Sequence, residues 1–167
     1  MDYLKEKVDN LEIIVFDLDY TLWPFWVDTH PTPPFRHKNG GVVDARGHKV
    51  GFYPEVPEVL KTLFSMGYTI GIASRTSAPE DAEELLSLFD WNKYIAYKQI
   101  YPGCKITHFN RIRKESGVQL SQMLFFDDES RNIKDLKAVG VTSILVNEGV
   151  DKVVINEGIK QFVTEKQ

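Results

Sequence analysis

Cysteine is almost missing from this chain: Cys104 is the only one in 167 residues, so no disulfide can close within it. No run approaches the roughly 20 consecutive apolar residues that a membrane-crossing helix needs. No G-x-x-x-x-G-K-[ST] string occurs, which removes the phosphate-cradling loop of P-loop kinases and ATPases. His30, His37, His48 and His108 lack metal-ligand spacing, and a single cysteine cannot complete a zinc site, so all four are expected at the surface, with His30 or His37 in a position to touch a substrate. Basic charge is also scarce. Lys and Arg number 20 against 24 Asp and Glu, a net −4 spread along the chain, which argues against nucleic acid or a membrane as partner. Met1 to Lys7 mixes acids with bases and precedes no apolar segment before Leu11, unlike a secretory signal. The expected location is cytoplasmic, or nuclear.

What remains has the balance of a globular protein, with 43% hydrophobic and 26% charged residues. A chain of this length is expected to fold as one domain, 1–167, burying roughly two-thirds of the surface exposed by the unfolded form. Runs rich in β-branched residues recur at Glu12–Leu18, Tyr68–Ser74, Tyr94–Tyr97, Met123–Asp127 and Thr142–Val146, with helix-period segments between most of them. That alternation predicts an α/β fold, a Rossmann-like parallel sheet with helices on both faces.

Five helices are expected. Pro57 sits near the start of the first, whose apolar face is Val59, Leu60, Leu63 and Phe64, and Gly67 stops it. Ser77 and Glu80 have capping-box spacing before Ala82, Leu85, Leu86 and Phe89. Ile106, Phe109 and Ile112 mark a third helix, Ile133, Leu136 and Val139 a fourth, and Val154, Ile155, Ile159 and Phe162 a fifth. Residues 23–54 break the rhythm with five prolines and with Trp23, Phe25, Trp26, Phe35 and Phe52, and read as a loop insertion whose second half, from Val42 to Phe52, turns as a hairpin near Arg46-Gly47. An insertion at the carboxyl end of a parallel strand lies where open α/β sheets bind ligands.

The first strand runs Ile13-Ile14-Val15-Phe16 and then delivers Asp17 and Asp19, which face the same way on an extended chain. Two carboxylates so close repel unless a cation or a shared proton intervenes, and Mg²⁺ is the hard, oxygen-seeking candidate. Asp127-Asp128 ends another apolar strand and could close the metal site. Two further strand ends supply phosphate ligands: the Ser74-Arg75-Thr76 turn, and Lys105 at a helix start after Pro102-Gly103.

D-x-D-x-T after a hydrophobic strand, then Ser, Lys and Asp-Asp, each at its own strand end or helix start, resembles the motif order of the haloacid dehalogenase superfamily over nearly the whole chain. Trp23-Pro24, the short insertion without a large cap domain, Tyr101-Pro-Gly-Cys-Lys105 and Phe125-Phe-Asp-Asp-Glu129 resemble its eukaryotic magnesium-dependent phosphatase group. The resemblance implies phosphomonoester hydrolysis through an aspartyl-phosphate, with Asp17 as nucleophile and Asp19 as acid and base. It implies Mg²⁺ on the Asp17 carboxylate, the Asp19 carbonyl and Asp128, with Asp127 a weaker ligand or an anchor behind it; the sequence does not separate the last two, and Asp128 is favoured. Ser74, the Arg75 backbone and Lys105 would hold the phosphoryl group. The implied substrate is a phosphorylated small molecule such as a sugar phosphate, or a phosphotyrosine protein, taken by a monomer.

Thr21 fits either a loop cap or a phosphate contact, and stays outside the catalytic set. Asn132 could orient Asp128 or merely be exposed. Trp23, Phe25 and Trp26 fit a satellite core under the insertion, or a platform for substrate. Thiol catalysis does not fit, because Cys104 and Arg111 are spaced C-x₆-R, one residue beyond the C-x₅-R loop. A phosphate-sensing receiver domain would carry its acidic pair first and its lysine last, whereas this chain has D-x-D first, Lys105 third and its acidic pair last. A catalytically idle module of the same fold, binding phosphate or a partner, should lack a reacting group, and none is missing.

Overall fold

The computed structural model describes residues 1–167. In chain order it contains β1 (Ile13–Phe16), β2 (Arg36–Lys38), β3 (Gly41–Val43), β4 (Lys49–Val50), α1 (Val56–Ser65), β5 (Thr69–Ser74), α2 (Pro79–Leu88), β6 (Ile95–Ile100), α3 (Lys105–Ser116), β7 (Met123–Asp127), α4 (Ser130–Ala138), β8 (Thr142–Leu145) and α5 (Lys152–Glu165). Five strands form one parallel sheet in the order β6-β5-β1-β7-β8. From β1 the chain first builds outward through β5 and β6, then returns to the other side for β7 and β8. The strand order therefore reverses beside β1, and the crevice beyond the carboxyl ends of β1, β5 and β7 is the place such sheets offer to ligands.

Successive residues of a strand face opposite sides, and β1 is apolar on both. Ile14 and Phe16 enter one core with α1, α2 and α5, whereas Ile13 and Val15 enter a second with α3 and α4. Buried Val59, Leu60 and Leu63 on α1 contribute about 1.5–3 kcal/mol each by leaving water. Phe64 and Val139, expected inside, are 52% and 37% exposed; Phe64 lies past the buried stripe and rests on Tyr94, and Val139 caps its helix. Gly158 of α5 permits close packing, because a Cβ there would come 2.5 Å from the Phe126 ring.

The expected Ser77–Glu80 capping box is absent. Instead the Thr76 hydroxyl accepts from the Ala78 N–H at 3.1 Å, Ala78 is the N-cap of α2 and Pro79 lies at its first turn. The insertion holds an antiparallel sheet β2-β3-β4, one strand more than the expected hairpin. Its turn is organised by the Asp44 carboxylate, which accepts from the N–H groups of Thr32, Arg46 and His48 at 2.9–3.0 Å. Trp23 is buried with its ring stacked on Phe25, and Phe52 meets Phe89 and Trp91 edge-on, fastening the insertion to the main core. No helix is long and apolar enough to cross a membrane.

Candidate active site

Four segments meet at the carboxyl end of the sheet, the end of β5 with Ser74 among them. Asp17 follows β1, Asp127 ends β7 with Asp128 after it, and Lys105 opens α3. The Lys105 ammonium, 1% exposed, donates to Asp17 Oδ1 at 2.8 Å and to Asp127 Oδ2 at 2.5 Å. Asp127 is saturated within the protein: Oδ2 also accepts from Asn132 Nδ2 at 3.0 Å, and Oδ1 from the Glu129 N–H at 2.9 Å. Asp128 is half-buried and lines the cavity. Carboxylate oxygens of Asp17, Asp127 and Asp128 lie within 4.8 Å of one another.

One ammonium among three carboxylates leaves an excess of negative charge. Burial of Lys105 disfavours its charge, but Asp17 and Asp127 outweigh that and hold it above the ordinary lysine value. Burial raises the Asp17 carboxyl well above its usual range; Lys105 opposes the shift, and Asp127 and Asp128 add to it. Asp128 is pushed up to about 6, chiefly by burial and then by Asp127, with a bond to Asp17 opposing. An oxygen-only donor set with surplus negative charge suits a hard divalent cation; Asp17, with one protein donor on each oxygen, and Asp128 are the carboxylates at the cavity that could hold Mg²⁺. No protein hydrogen bond ends on the Asp19 carbonyl, which fits a third ligand.

After β1 the chain folds back on itself, with the N–H groups of Thr21 and Leu22 donating to the Leu18 carbonyl. Tyr20 takes the left-handed conformation, φ 58°, as the chain reverses. Asp19 Oδ1 accepts from Trp23 Nε1 at 2.8 Å and from the Val27 N–H at 3.1 Å, while Oδ2 has no protein partner. Burial raises its pKa against those two bonds. Thr21, fully buried, donates its hydroxyl to Asp17 Oδ2 at 3.0 Å: it orients that carboxylate rather than capping the loop.

Ser74 ends β5, 2% exposed, and its Oγ accepts from the Thr76 N–H at 3.2 Å. Arg75 spans the cavity to donate to Asn132 Oδ1 at 3.2 Å, so it is more than a solvated turn residue. Asn132 is buried and supports Asp127, not Asp128 as the sequence suggested. His108, expected at the surface, is fully buried. Its Nε2 lies 2.9 Å from the Ser74 carbonyl and 2.7 Å from that of Tyr101, and its ring stacks on Tyr101. Burial depresses its pKa against these carbonyls. It ties the end of β5 to the loop that presents Lys105; position i+3 beyond Lys105, on the buried stripe of α3, was the signal for it.

A cavity of about 260 Å³ gathers Asp17, Asp19, Ser74, Arg75, Lys105 and Asp128. Trp26, Asp28, Thr76, Glu129 and Asn132 complete its lining. Trp26 and Asp28 come from the insertion, whose sequence announces aromatics but not which of them faces the site.

A family model described as acid phosphatase matches residues 10–165. The human magnesium-dependent phosphatase 1 is 56% identical over 140 residues, covering 83% of this chain and 80% of that protein. A HAD-like hydrolase superfamily protein of Schizosaccharomyces pombe is 41% identical, covering 81% and 87%. The cobalt-bound deoxy-D-mannose-octulosonate 8-phosphate phosphatase of Haemophilus influenzae shares the fold, with a TM-score of 0.62 at 16% identity over 94% of this chain and 90% of that one. With its family match running almost end to end, and more than half of the aligned residues shared with the human relative, the chain belongs to the acid phosphatase family of the haloacid dehalogenase superfamily and is a magnesium-dependent phosphatase.

Proposed function

We propose that this chain, acting as one domain, hydrolyses phosphomonoesters through a phosphorylated Asp17. One Asp17 oxygen forms a bond to phosphorus as the bond to the leaving oxygen breaks, and Asp19 gives that oxygen its proton. Water then forms a bond to phosphorus, loses its proton to Asp19, and phosphate departs from Asp17. The convergence of Asp17, Lys105 and Asp128 on one cavity carries this reading. A carboxylate meeting a phosphate dianion gathers three negative charges, which Mg²⁺ and Lys105 together offset; the bound ion supplies charge stabilisation of the phosphoryl oxygens.

Other features support the same roles. The free Oδ2 and raised pKa of Asp19 suit a group that must hold a proton before reaction. Thr21 and Lys105 hold Asp17 from opposite oxygens, leaving little rotational freedom for the nucleophile. Ser74, the Arg75 backbone and Lys105 receive the phosphoryl group, and Asp127 serves as an anchor behind Asp128. Only residues 23–54 stand over the cavity, and without a larger cap a phosphotyrosine protein or a sugar phosphate can reach it. Asp17→Asn should be inert towards p-nitrophenyl phosphate with Mg²⁺, and chelation should silence the wild type. Hydrolysis of a phosphate ester made chiral at phosphorus should proceed with net retention, as two successive displacements at phosphorus require; net inversion would overturn the covalent route.

A further inference from the structure

Ser74 and Lys105 reach the cavity from separate segments, and the chain just before Lys105 is weakly held. Pairing of β5 with β6 ends at Ser74 opposite Ile100, and one further bond runs from the Tyr101 N–H to the Ser74 carbonyl at 3.0 Å. Pro102, Gly103 and Cys104 then form an exposed turn, with Gly103 at φ 128°, before α3 opens on Lys105. Such a turn alone would let the ammonium move relative to the Ser74 hydroxyl. A misplacement of about 1 Å in an active site can cost about a hundredfold in rate.

His108, which the reaction as described does not use, connects these pieces. Fully buried on α3, it turns Nε2 to the carbonyls of Ser74 at 2.9 Å and Tyr101 at 2.7 Å, and Nδ1 to that of Cys104 at 3.1 Å. Carbonyl oxygens only accept, so each contact asks for a proton on the ring. Burial depresses the pKa despite the three carbonyls, which leaves the ring one proton. It belongs on Nε2, the nitrogen with two acceptors and the shorter contacts. The Tyr101 carbonyl has no other protein donor, whereas the Cys104 carbonyl also accepts the Thr107 N–H at 3.0 Å. The imidazole is fixed in turn: its face lies on the Tyr101 ring, centroids 4.2 Å apart and planes at 7°, and the Tyr101 hydroxyl donates to Gln99 Oε1 at 2.7 Å.

We infer that His108 is a positioning residue of the reaction: its Nε2–H bridges the strand end that presents Ser74 and the segment that presents Lys105, and holds the two at the separation one phosphoryl group requires. The inference rests on the phosphatase reading above and adds to it a residue that touches neither substrate nor metal. An apolar side chain of similar bulk could fill the same space, but it could not supply the N–H.

Three variants of the Mg²⁺-loaded protein separate the donor from the bulk. His108→Gln carries an amide N–H close to the place of Nε2, His108→Asn reaches only as far as Nδ1, and His108→Leu has no donor. With p-nitrophenyl phosphate, kcat should fall roughly thirtyfold in His108→Leu and His108→Asn but only a few-fold in His108→Gln. Inhibition by orthovanadate, which imitates pentacoordinate phosphorus, should weaken in step with kcat. Rates are compared well below the melting temperature of every variant. Equal kcat in His108→Gln, His108→Asn and His108→Leu, or kcat that follows melting temperature rather than donor position, overturns the inference alone. Nitrogen NMR of the wild type, which needs no variant to fold, should show the His108 proton on Nε2, and a proton on Nδ1 alone overturns it as well. A wild type that does not turn over with Mg²⁺ overturns the reaction assignment, and the inference falls with it.

Discussion

The cavity has two walls of different construction. One is made of the ends of regular elements: Asp17 after β1, Ser74 on β5, Lys105 and Asn132 on the first turns of α3 and α4, with Asp127 of β7 buried behind them. All five of these side chains are buried, and most are bound to one another. The other wall is the segment from Tyr20 to Asp28, irregular in backbone, whose cavity-facing groups Trp26 and Asp28 are exposed. The difference matches the two halves of a phosphomonoester. Phosphate is the same in every substrate and suits a wall of fixed charges, whereas the alcohol varies and suits a segment that can change without disturbing the sheet.

Breaking the first wall at its centre should have the largest effect. Lys105→Met removes the cation shared by Asp17 and Asp127 and leaves two buried carboxylates facing each other. Loss of one partner from a buried charge cluster costs about 3–5 kcal/mol of stability, and turnover should fall at least about a thousandfold. Thermal unfolding and steady-state rates check both. A variant as stable as wild type would mean that the carboxylates do not depend on Lys105.

Asn132→Ala should do less. It removes a donor to Asp127 and an acceptor from Arg75 but leaves Lys105 in place. A lost buried hydrogen bond with an unsatisfied partner costs about 1–3 kcal/mol. Turnover should drop roughly tenfold through misplacement of the Asp127–Lys105 pair, with KM rising as Arg75 loses its anchor. Unchanged kinetics would leave Asn132 only a packing role.

The first wall was legible because each of its residues ends an apolar run or opens a helix, and strand order follows from the alternation of the runs. D-x-D, Ser74, Lys105 and Asp127-Asp128 all fell where expected. Groups that act on these rather than on substrate were harder to read. Thr21 and Asn132 look like ordinary polar residues until the fold places Asp17 and Asp127 within reach of them. His108 was misjudged because its three carbonyl contacts come from residues 74, 101 and 104, one of them far along the chain. In the second wall, Trp23, Phe25 and Trp26 share composition and differ only in the direction each side chain takes from a turning backbone, which no periodicity encodes.

The charge excess of the first wall has a consequence for stability. In metal-free protein Asp128 is raised to about 6 and Asp17 is raised as well, so the folded state binds protons that the unfolded state has released. Stability should therefore be greatest below the ordinary carboxyl value near 3.8 and decline as pH rises towards about 6. Mg²⁺ replaces those protons, and its stabilisation should grow over the same interval. Melting temperatures with chelator and with Mg²⁺ should thus diverge from pH 4 towards pH 6; parallel curves would show that the acids are not a shared cation site.

The smallest effect is expected where the second wall is touched at a distance. Asp44 lies in the β2-β3-β4 sheet, outside the cavity, and its carboxylate gathers three backbone N–H groups, one of them from Thr32. Asp44→Ala leaves those donors to water and loosens the turn, so amide exchange should quicken across residues 32–50 while β1 and β7 stay protected. Because the insertion also reaches the core through Trp23 and Phe52, the loosening should reach Trp26 only in part. KM for p-nitrophenyl phosphate should then rise about two- to threefold with kcat nearly constant, the signature of binding lost equally in ground and transition states. A fall in kcat instead would show that the insertion helps to place Asp19, and the two walls would not be separable.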